Sequence, residues 1–211
     1  MPDLALFIAA SLLLTLAPGP DNITVLSRGI AQGRMAALVA ALGFTTGLIG
    51  HTALAVFGIA AVIRSSPLLF DAIRYAGAAY LCYLGFLTLK HRDTALTGVP
   101  TATISLRKIY RQSVIANLLN PKVTLFFLSF LPQFVHPGSG SVEQQMLLLG
   151  GIFMLCTLVI FSVIALASGT LGNWLRTRSA MGKPVGRHLQ TLAGITFIGI
   201  GLRLAMAERS I

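Results

Sequence analysis

The sequence predicts an all-α polytopic membrane protein with six transmembrane helices, arranged as two inverted three-helix repeats. The first helix of each repeat, which is the first or the fourth span of the chain, is broken at proline. Of the 211 residues, 55% are apolar and only 10% are charged, whereas a soluble domain carries roughly 25% charged residues. The apolar residues fall into six runs, and a bilayer-spanning helix needs about 20 such residues. Proline interrupts the first and the fourth run, at matching places in the two halves of the chain.

The six runs are predicted to be helices because lipid tolerates only backbone whose hydrogen bonds are made within the segment. They cover residues 4–30 with a break at 18–21, 35–63, 72–89, 113–135 with a break at 120–121, 146–175 and 189–207. A Thr-rich tract separates the third run from the fourth. It divides the chain into a first half at 1–92, a cytoplasmic linker at 93–108 and a second half at 109–211. Since each half holds an odd number of spans, any repeat must be inverted in the membrane.

The net charge of +10 predicts an orientation rather than nucleic-acid binding. Most of the basic residues lie between apolar runs, and no basic stripe carries the interleaved aromatic residues that nucleic-acid binding favours. Of the 16 Lys and Arg residues, 11 fall in loops one, three and five: Arg28, Arg34, Lys90, Arg92, Arg107, Lys108, Arg111, Arg176, Arg178, Lys183 and Arg187. Cytoplasmic loops are enriched in Lys and Arg. Both termini are therefore predicted to lie outside.

The first break has the sequence Ala-Pro-Gly-Pro-Asp-Asn at residues 17–22. Two prolines that bracket a glycine cannot continue a helix, because each proline lacks an N–H and clashes with the preceding turn. Backbone groups freed in this way at membrane depth are tolerated only where protein or a water-filled cavity covers them. The candidate site residues here are Pro18, Gly19, Pro20, Asp21 and Asn22.

The second break lies in the middle of the fourth run and supplies the candidates Asn117, Asn120, Pro121 and Lys122. Interrupted spans at corresponding positions of two halves indicate a transporter binding site. The freed N–H groups of a half-helix suit a carboxylate, and freed carbonyl groups suit an ammonium group or a cation. A simple proline kink at each position is the alternative.

Asp21, Lys122 and His51 lie well inside the predicted spans, away from the span ends. A charge there is costly and usually marks an ion or substrate path. Asp21 is the candidate for proton coupling; alternatively it caps a helix that starts at Asn22. Lys122 either reaches the membrane interface or pairs with Asp21. His51 lies near the middle of an uncharged span and has a side chain able to carry a proton, although a hydrogen-bonded structural histidine is the commoner case.

Several other functions are weighed against transport. An intramembrane enzyme needs a nucleophile–base pair or a metal set within the spans, and only Asp21 among the six acidic residues lies firmly in a span. No enzyme activity, metal site or cofactor is expected. A metal-ion exporter is disfavoured because Cys, His and acidic residues do not cluster. A passive channel or a membrane assembly subunit stays open as an alternative. Glycines spaced along the runs predict close helix packing and a homodimer.

Four segments resemble the LysE/RhtB family of small amino-acid exporters: APGPDN at 17–22, AGAAYLCYLGFLTLK at 76–90, NPKVTLFFLSFLPQF at 120–134 and GITFIGIGLRLA at 194–205. Together and in this order they cover nearly the whole chain. The resemblance implies a six-span protein of the bacterial inner membrane. It also implies export of amino acids or derivatives such as homoserine, homoserine lactone, threonine, leucine or lysine, by antiport with protons.

Overall fold

A computed structural model describes residues 4–17, 19–59, 67–90, 103–136, 138, 140–177 and 182–206. These residues form helices and short connections, and no strand occurs among them. Pro18 of the first break lies outside the described residues, as does most of the linker predicted at 93–108. The division of the chain at that linker therefore stays a prediction.

The described residues form eight α-helices: α1 Leu4–Leu16, α2 Pro20–Gln32, α3 Arg34–Ala53, α4 Pro67–Lys90, α5 Leu106–Leu118, α6 Pro121–Leu125, α7 Val142–Thr177 and α8 Gly182–Met206. Two of them continue directly into turns with a different hydrogen-bonding pattern. Helix α3 runs on as a π-helical turn at Leu54–Ile59, and α6 runs on as a π-helical turn at Phe126–Phe130 and a 3-10 turn at Leu131–Phe134.

Three stretches are long and apolar enough to cross a membrane: Arg34–Gly58, Asp71–Lys90 and Val142–Ser168. Two further stretches pass when a bent pair of helices is taken together. Helices α1 and α2 are bent by 56° relative to each other. Helix α5 is bent by 46° relative to Pro121–Phe134, which consists of α6 and the turns that continue it. Counting each pair as one crossing gives up to 5 spans among the described residues, which makes this a multi-pass membrane protein. Helix α8 is not in that set, so the six-span inverted repeat stays a prediction.

Helix α5 begins earlier than its apolar run. The run was expected from Ser113, but the helix starts at Leu106, and Ser105 is its N-cap with an Oγ that accepts from the Lys108 N–H at 3.4 Å. Counting apolar residues does not detect a helical turn made of charged residues. Ser105 could have indicated the start, because serine is a favoured N-cap. The helix consequently joins a basic end to the polar residues of the second break.

Helix α3 is the centre of the packing, because it contacts α2, α5 and α7, while α4 packs along α8. Glycines permit the close approach of α3 to α5. A Cβ added at Gly43 would lie 2.7 Å from Ser113 Cβ, and one added at Gly47 would lie 2.7 Å from Asn117 Cβ. The expectation that these glycines serve close packing is confirmed at both positions.

Two apolar clusters fill the interior. One contains a group of phenylalanines in contact, with the Phe126 and Phe153 ring centroids 4.9 Å apart. The other is built on alanines of α3 and includes Phe44 and Phe161, whose rings meet edge to face at 5.9 Å. Phe153 and Phe161, one from each cluster, both line the cavity described next.

Candidate functional site

A narrow cavity lies where the two bent helix pairs meet. Its water-accessible volume is about 20 Å³, which is room for about one water molecule. It is lined by Leu14, Thr15, Gly19, Pro20, Asp21, Asn22, Leu48, Asn117, Asn120, Lys122, Val123, Phe153, Thr157 and Phe161. One wall is therefore polar and comes from the two breaks, and the other is apolar.

Asp21 is held by two amides from the opposite break. Asn117 Nδ2 donates to Asp21 Oδ2 at 3.1 Å, and Asn120 Nδ2 donates to Asp21 Oδ1 at 3.0 Å. The side chain is only 7% exposed. Hydrogen bonds to an ionised carboxylate are roughly twice as strong as neutral ones, so this clamp joins α2 to α5 and α6 and offsets the cost of burying the acid.

The capping interpretation of Asp21 is wrong. Helix α2 starts at Pro20, its N-cap is Gly19, and no side-chain hydrogen bond caps it among the described residues. Asp21 lies inside that turn, where a negative charge is favoured by the helix dipole. Its carboxylate is directed instead at the second break.

The end of α1 receives its hydrogen bonds from side chains. Asn22 Nδ2 donates to the Thr15 carbonyl at 2.7 Å, and Lys122 Nζ donates to the Ala17 carbonyl at 3.2 Å. Thr15 lies in the last turn of α1 and Ala17 directly follows it, and carbonyls at a helix end have no intrahelical donors left for them. The second break thus supplies a donor that stabilises the first.

Lys122 does not pair directly with Asp21. No ion pair within 4 Å joins these two described residues, although both line the cavity. The ammonium group lies 5.2 Å from the Phe197 ring centroid, a distance at which an aromatic face attracts a cation. The cavity consequently presents a carboxylate and an ammonium group as separate charges.

Asn120 uses both ends of its amide. Its Oδ1 accepts from the Lys122 backbone N–H at 3.1 Å and caps α6, while its Nδ2 donates to Asp21. Pro121 follows at the first helical position, where its missing N–H costs nothing. The cap of α6 and one of the two hydrogen bonds that hold Asp21 therefore depend on the Asn120 side chain.

His51 lies behind the cavity rather than in it. It is 3% exposed, and its Nε2 lies 2.9 Å from the Asn117 carbonyl oxygen. Because a carbonyl only accepts, Nε2 is the protonated nitrogen in this contact. The ring also lies against Phe127, with centroids 5.7 Å apart. This arrangement favours a structural histidine that positions Asn117.

Gly47 fixes the other side of Asn117. Asn117 Oδ1 is buried and has no hydrogen-bond partner among the described residues. It faces Gly47, where an added Cβ would lie 2.7 Å from it. A Cα–H···O contact is a weak substitute for a hydrogen bond. Glycine is required here because only its bare backbone lets Asn117 reach Asp21 from this position.

Of the residues expected from the sequence, seven line the cavity: Gly19, Pro20, Asp21, Asn22, Asn117, Asn120 and Lys122. His51 and Pro121 do not line it, and Pro18 lies outside the described residues. Sequence reasoning missed the apolar wall and the hydroxyl pair formed by Thr15 and Thr157, whose Oγ1 atoms are 3.4 Å apart. Thr157 was detectable as a polar residue in an uncharged apolar run; the apolar wall had no comparable signal.

Comparison with known proteins decides the family. The family model for the LysE type translocator matches residues 12–208. The chain belongs to the LysE type translocator family. The matched range contains every residue that lines the cavity, and the resemblance noted in the sequence is confirmed. The translocator is accordingly a membrane transport protein.

Relatives of the translocator are full-length matches. An uncharacterised membrane protein of Vibrio cholerae is 33% identical over 204 residues, covering 96% of each chain. An uncharacterised membrane protein of Pseudomonas aeruginosa is 32% identical over 219 residues, covering 99% of the translocator and 97% of the relative. A leucine efflux protein of Enterobacter sp. is 30% identical over 205 residues, covering 94% and 93% respectively. No solved structure matches the translocator.

Proposed function

We propose that this translocator exports small amino acids or their derivatives across the bacterial inner membrane, in exchange for protons, by alternating access. The observation that carries the proposal is the buried Asp21 carboxylate, held by two amides of the opposite break and facing the cavity. Membership of a translocator family and likeness to a leucine efflux protein support export of an amino acid.

The proposed membrane arrangement has six spans in two inverted halves, with each bent pair forming one crossing and α8 forming the sixth. The matching bends of 56° and 46° support it. So does the contact of Gln32, at the end of α2, with Ile104, just before α5: Gln32 Nε2 donates to the Ile104 carbonyl at 2.8 Å, and Ile104 N–H donates to Gln32 Oε1 at 3.2 Å. This contact favours loops one and three on the same side. Cytoplasmic loops with both termini outside, and a homodimer, stay predictions.

The cavity has the charges that a zwitterion requires. In the proposed bound state, the ammonium group of the substrate approaches Asp21. The carboxylate of the substrate approaches Lys122 and the uncapped first turn of α2. Free N–H groups at a helix start suit a carboxylate. An apolar substrate side chain then faces the opposite wall, built from Leu14, Leu48, Val123, Phe153 and Phe161.

Proton coupling would act through the hydrogen bonds that Asp21 accepts from Asn117 and Asn120. A protonated carboxyl group accepts weaker hydrogen bonds than a carboxylate, because it has lost its charge. Protonation therefore weakens the clamp that Asn117 and Asn120 make on α2, and the two bent pairs become free to separate. Movement is needed in any case, since about 20 Å³ of cavity is far smaller than an amino acid.

The test uses inside-out vesicles with an imposed pH gradient and labelled leucine as the first probe. A growth-rescue screen with toxic levels of individual amino acids extends it to other substrates. We expect uptake that a protonophore abolishes and that Asp21→Asn lowers by about 100-fold, which is roughly 2.7 kcal/mol of lost coupling at the site. Glu143→Gln is the matched control, because it removes an acidic residue at the start of α7, outside the cavity.

The arms of this test separate the proposals. Uptake that survives a protonophore contradicts exchange for protons and favours the passive-channel alternative. Uptake that is sensitive to the protonophore but unchanged in Asp21→Asn contradicts the coupling role of this residue. Failure of every amino acid in both assays contradicts the substrate class.

A further inference from the structure

A second polar site lies on the outer face of α5, away from the cavity. An open groove of about 480 Å³ is lined by Ser105, Arg107, Lys108, Arg111, Gln112 and Ile115. Three of these are cations, and none is acidic. All three basic side chains are exposed, and none forms an ion pair with any residue that the structure describes. Like charges one turn apart on a helix repel each other, so this face is built for an anionic ligand.

The polarity of this face changes sharply along the helix. Lys108, Arg111 and Gln112 lie on one stripe, at spacings of three and four residues. The same stripe continues with Ile115, which is 53% exposed, and Leu118, which is 43% exposed. From Arg111 to Ile115 the helix rises about 6 Å. An exposed basic turn followed directly by exposed apolar residues is the pattern expected where a helix passes from the headgroup layer into the hydrocarbon of the bilayer.

We propose that this groove binds the headgroup of an anionic phospholipid such as phosphatidylglycerol, in the leaflet on the side of loops one and three. Guanidinium and ammonium groups of Arg107, Lys108 and Arg111 bind the phosphate oxygens. Ile115 and Leu118 lie against the first methylenes of the acyl chains. A soluble phosphate shares the charge but has no part that matches the apolar continuation of the stripe, and for this reason a lipid is the favoured occupant.

The groove and the cavity share helix α5, so a lipid bound in the groove acts on the cavity through this helix. Helix α5 carries the basic groove at one end and Asn117, which clamps Asp21, at the other. Arg111 and Asn117 are six residues apart on this continuous helix, about 9 Å along its axis. A bound headgroup therefore holds the same rigid element that presents Asn117 to Asp21. The site rests on the proposed membrane arrangement only in needing the first turns of α5 at the membrane surface, and it is independent of what the translocator carries.

The experiment measures binding of fluorescent phosphatidylglycerol to the purified full-length translocator in an uncharged detergent, with phosphatidylcholine of the same acyl chains as comparison. Each basic residue near an anionic surface contributes roughly fivefold to affinity. We expect K108Q/R111Q to bind phosphatidylglycerol about 25-fold more weakly than the unmodified protein. R34Q/K90Q is the matched control, because it removes two exposed charges on the same proposed side but outside the groove.

A charge-preserving variant guards against misfolding. K108R/R111K should keep the affinity for phosphatidylglycerol within about threefold, and all variants should share the thermal unfolding temperature of the unmodified protein in phosphatidylcholine. Equal affinity for the two lipids overturns the site. Equal losses in K108Q/R111Q and R34Q/K90Q also overturn it, because they reveal only diffuse surface attraction. Displacement of the lipid by equimolar inorganic phosphate assigns the groove to a soluble anion and overturns the lipid.

Discussion

The two breaks look alike in sequence and differ in structure. At the first, the helix restarts after Gly19 with no side-chain cap, and the end of α1 relies on donors from Asn22 and Lys122. At the second, Asn120 caps its own helix and Pro121 starts it. The second break supplies its own helix cap, whereas the first obtains a donor and both amide partners of Asp21 from across the cavity.

The first break therefore depends on donors from the second break more than the second break depends on the first. We expect loss of a second-break amide to affect both breaks, whereas loss of Asn22, which donates only to the end of α1, should stay local. Four substitutions follow in order of decreasing effect, two of them in the breaks and two at neighbouring residues.

Asn120→Ala should have the largest effect, because it removes a cap and a hydrogen bond to a charged group together. A lost cap costs about 1 kcal/mol, and a lost hydrogen bond to a carboxylate costs about 1.5–3 kcal/mol. Thermal unfolding in detergent should show the sum, and leucine uptake should fall about 100-fold. Asn120→Asp keeps the cap but loses the donor; if it transports normally, the hydrogen bond from Asn120 to Asp21 is not needed.

Gly47→Ala should come next, since the added Cβ meets Asn117 Cβ and Oδ1 at 2.7 Å. Overpacking of this kind costs about 1–3 kcal/mol, and uptake should fall because Asn117 is pushed away from Asp21. Gly151→Ala is the control, as nothing lies within 4 Å of its added Cβ. An equal loss of stability in both variants would trace the effect to something other than the contact with Asn117.

Asn22→Ala should be milder, because it removes one hydrogen bond to the Thr15 carbonyl and nothing from the second break. The expected loss of unfolding free energy is about 1 kcal/mol. The comparison with Asn120→Ala in the same unfolding assay is decisive: if Asn22→Ala costs as much or more, the first break does not depend on the second.

Thr157→Val should have the smallest effect. Its hydroxyl lies 3.4 Å from Thr15 Oγ1, and the Thr15 hydroxyl already donates to the Ser11 carbonyl at 2.8 Å. We expect a stability change within about 0.5 kcal/mol and uptake within about threefold. A much larger loss of uptake with unchanged unfolding would show that Thr157 contacts the substrate directly.

Much of the helical fold was predictable because apolar runs and prolines act locally. The start of α6 at Pro121 matches the second break, and a proline is most easily accepted at the first position of a helix. Helix α2 starts at Pro20, two residues before the Asn22 start that the sequence suggested. The start of α5 was not predictable, because Arg107, Lys108 and Arg111 form a charged helical turn that a count of apolar residues does not detect. Those same residues later form the basic groove.

The candidate site was predictable in membership but not in wiring. A buried acid inside a span identified Asp21, and polar residues at the second break identified Asn117 and Asn120. Which side chains bind Asp21 depends on how α3 and α5 pack. That packing is set by Gly47, which lies about 70 residues before Asn117 in the sequence. Pairing of Asp21 with Lys122 was therefore a reasonable alternative from charge alone, and the packing decided for the amides.

One consequence of the second break concerns chemical ageing. Asparagine deamidates when the backbone nitrogen of the next residue attacks the side-chain carbonyl and closes a five-membered imide. The next residue after Asn120 is proline, whose nitrogen has no hydrogen to give up. The Asn120 side chain, which caps α6 and donates to Asp21, is thus shielded from this route to aspartate, which would place a second negative charge against Asp21. The proline that restarts the helix therefore also slows chemical loss of the amide beside it.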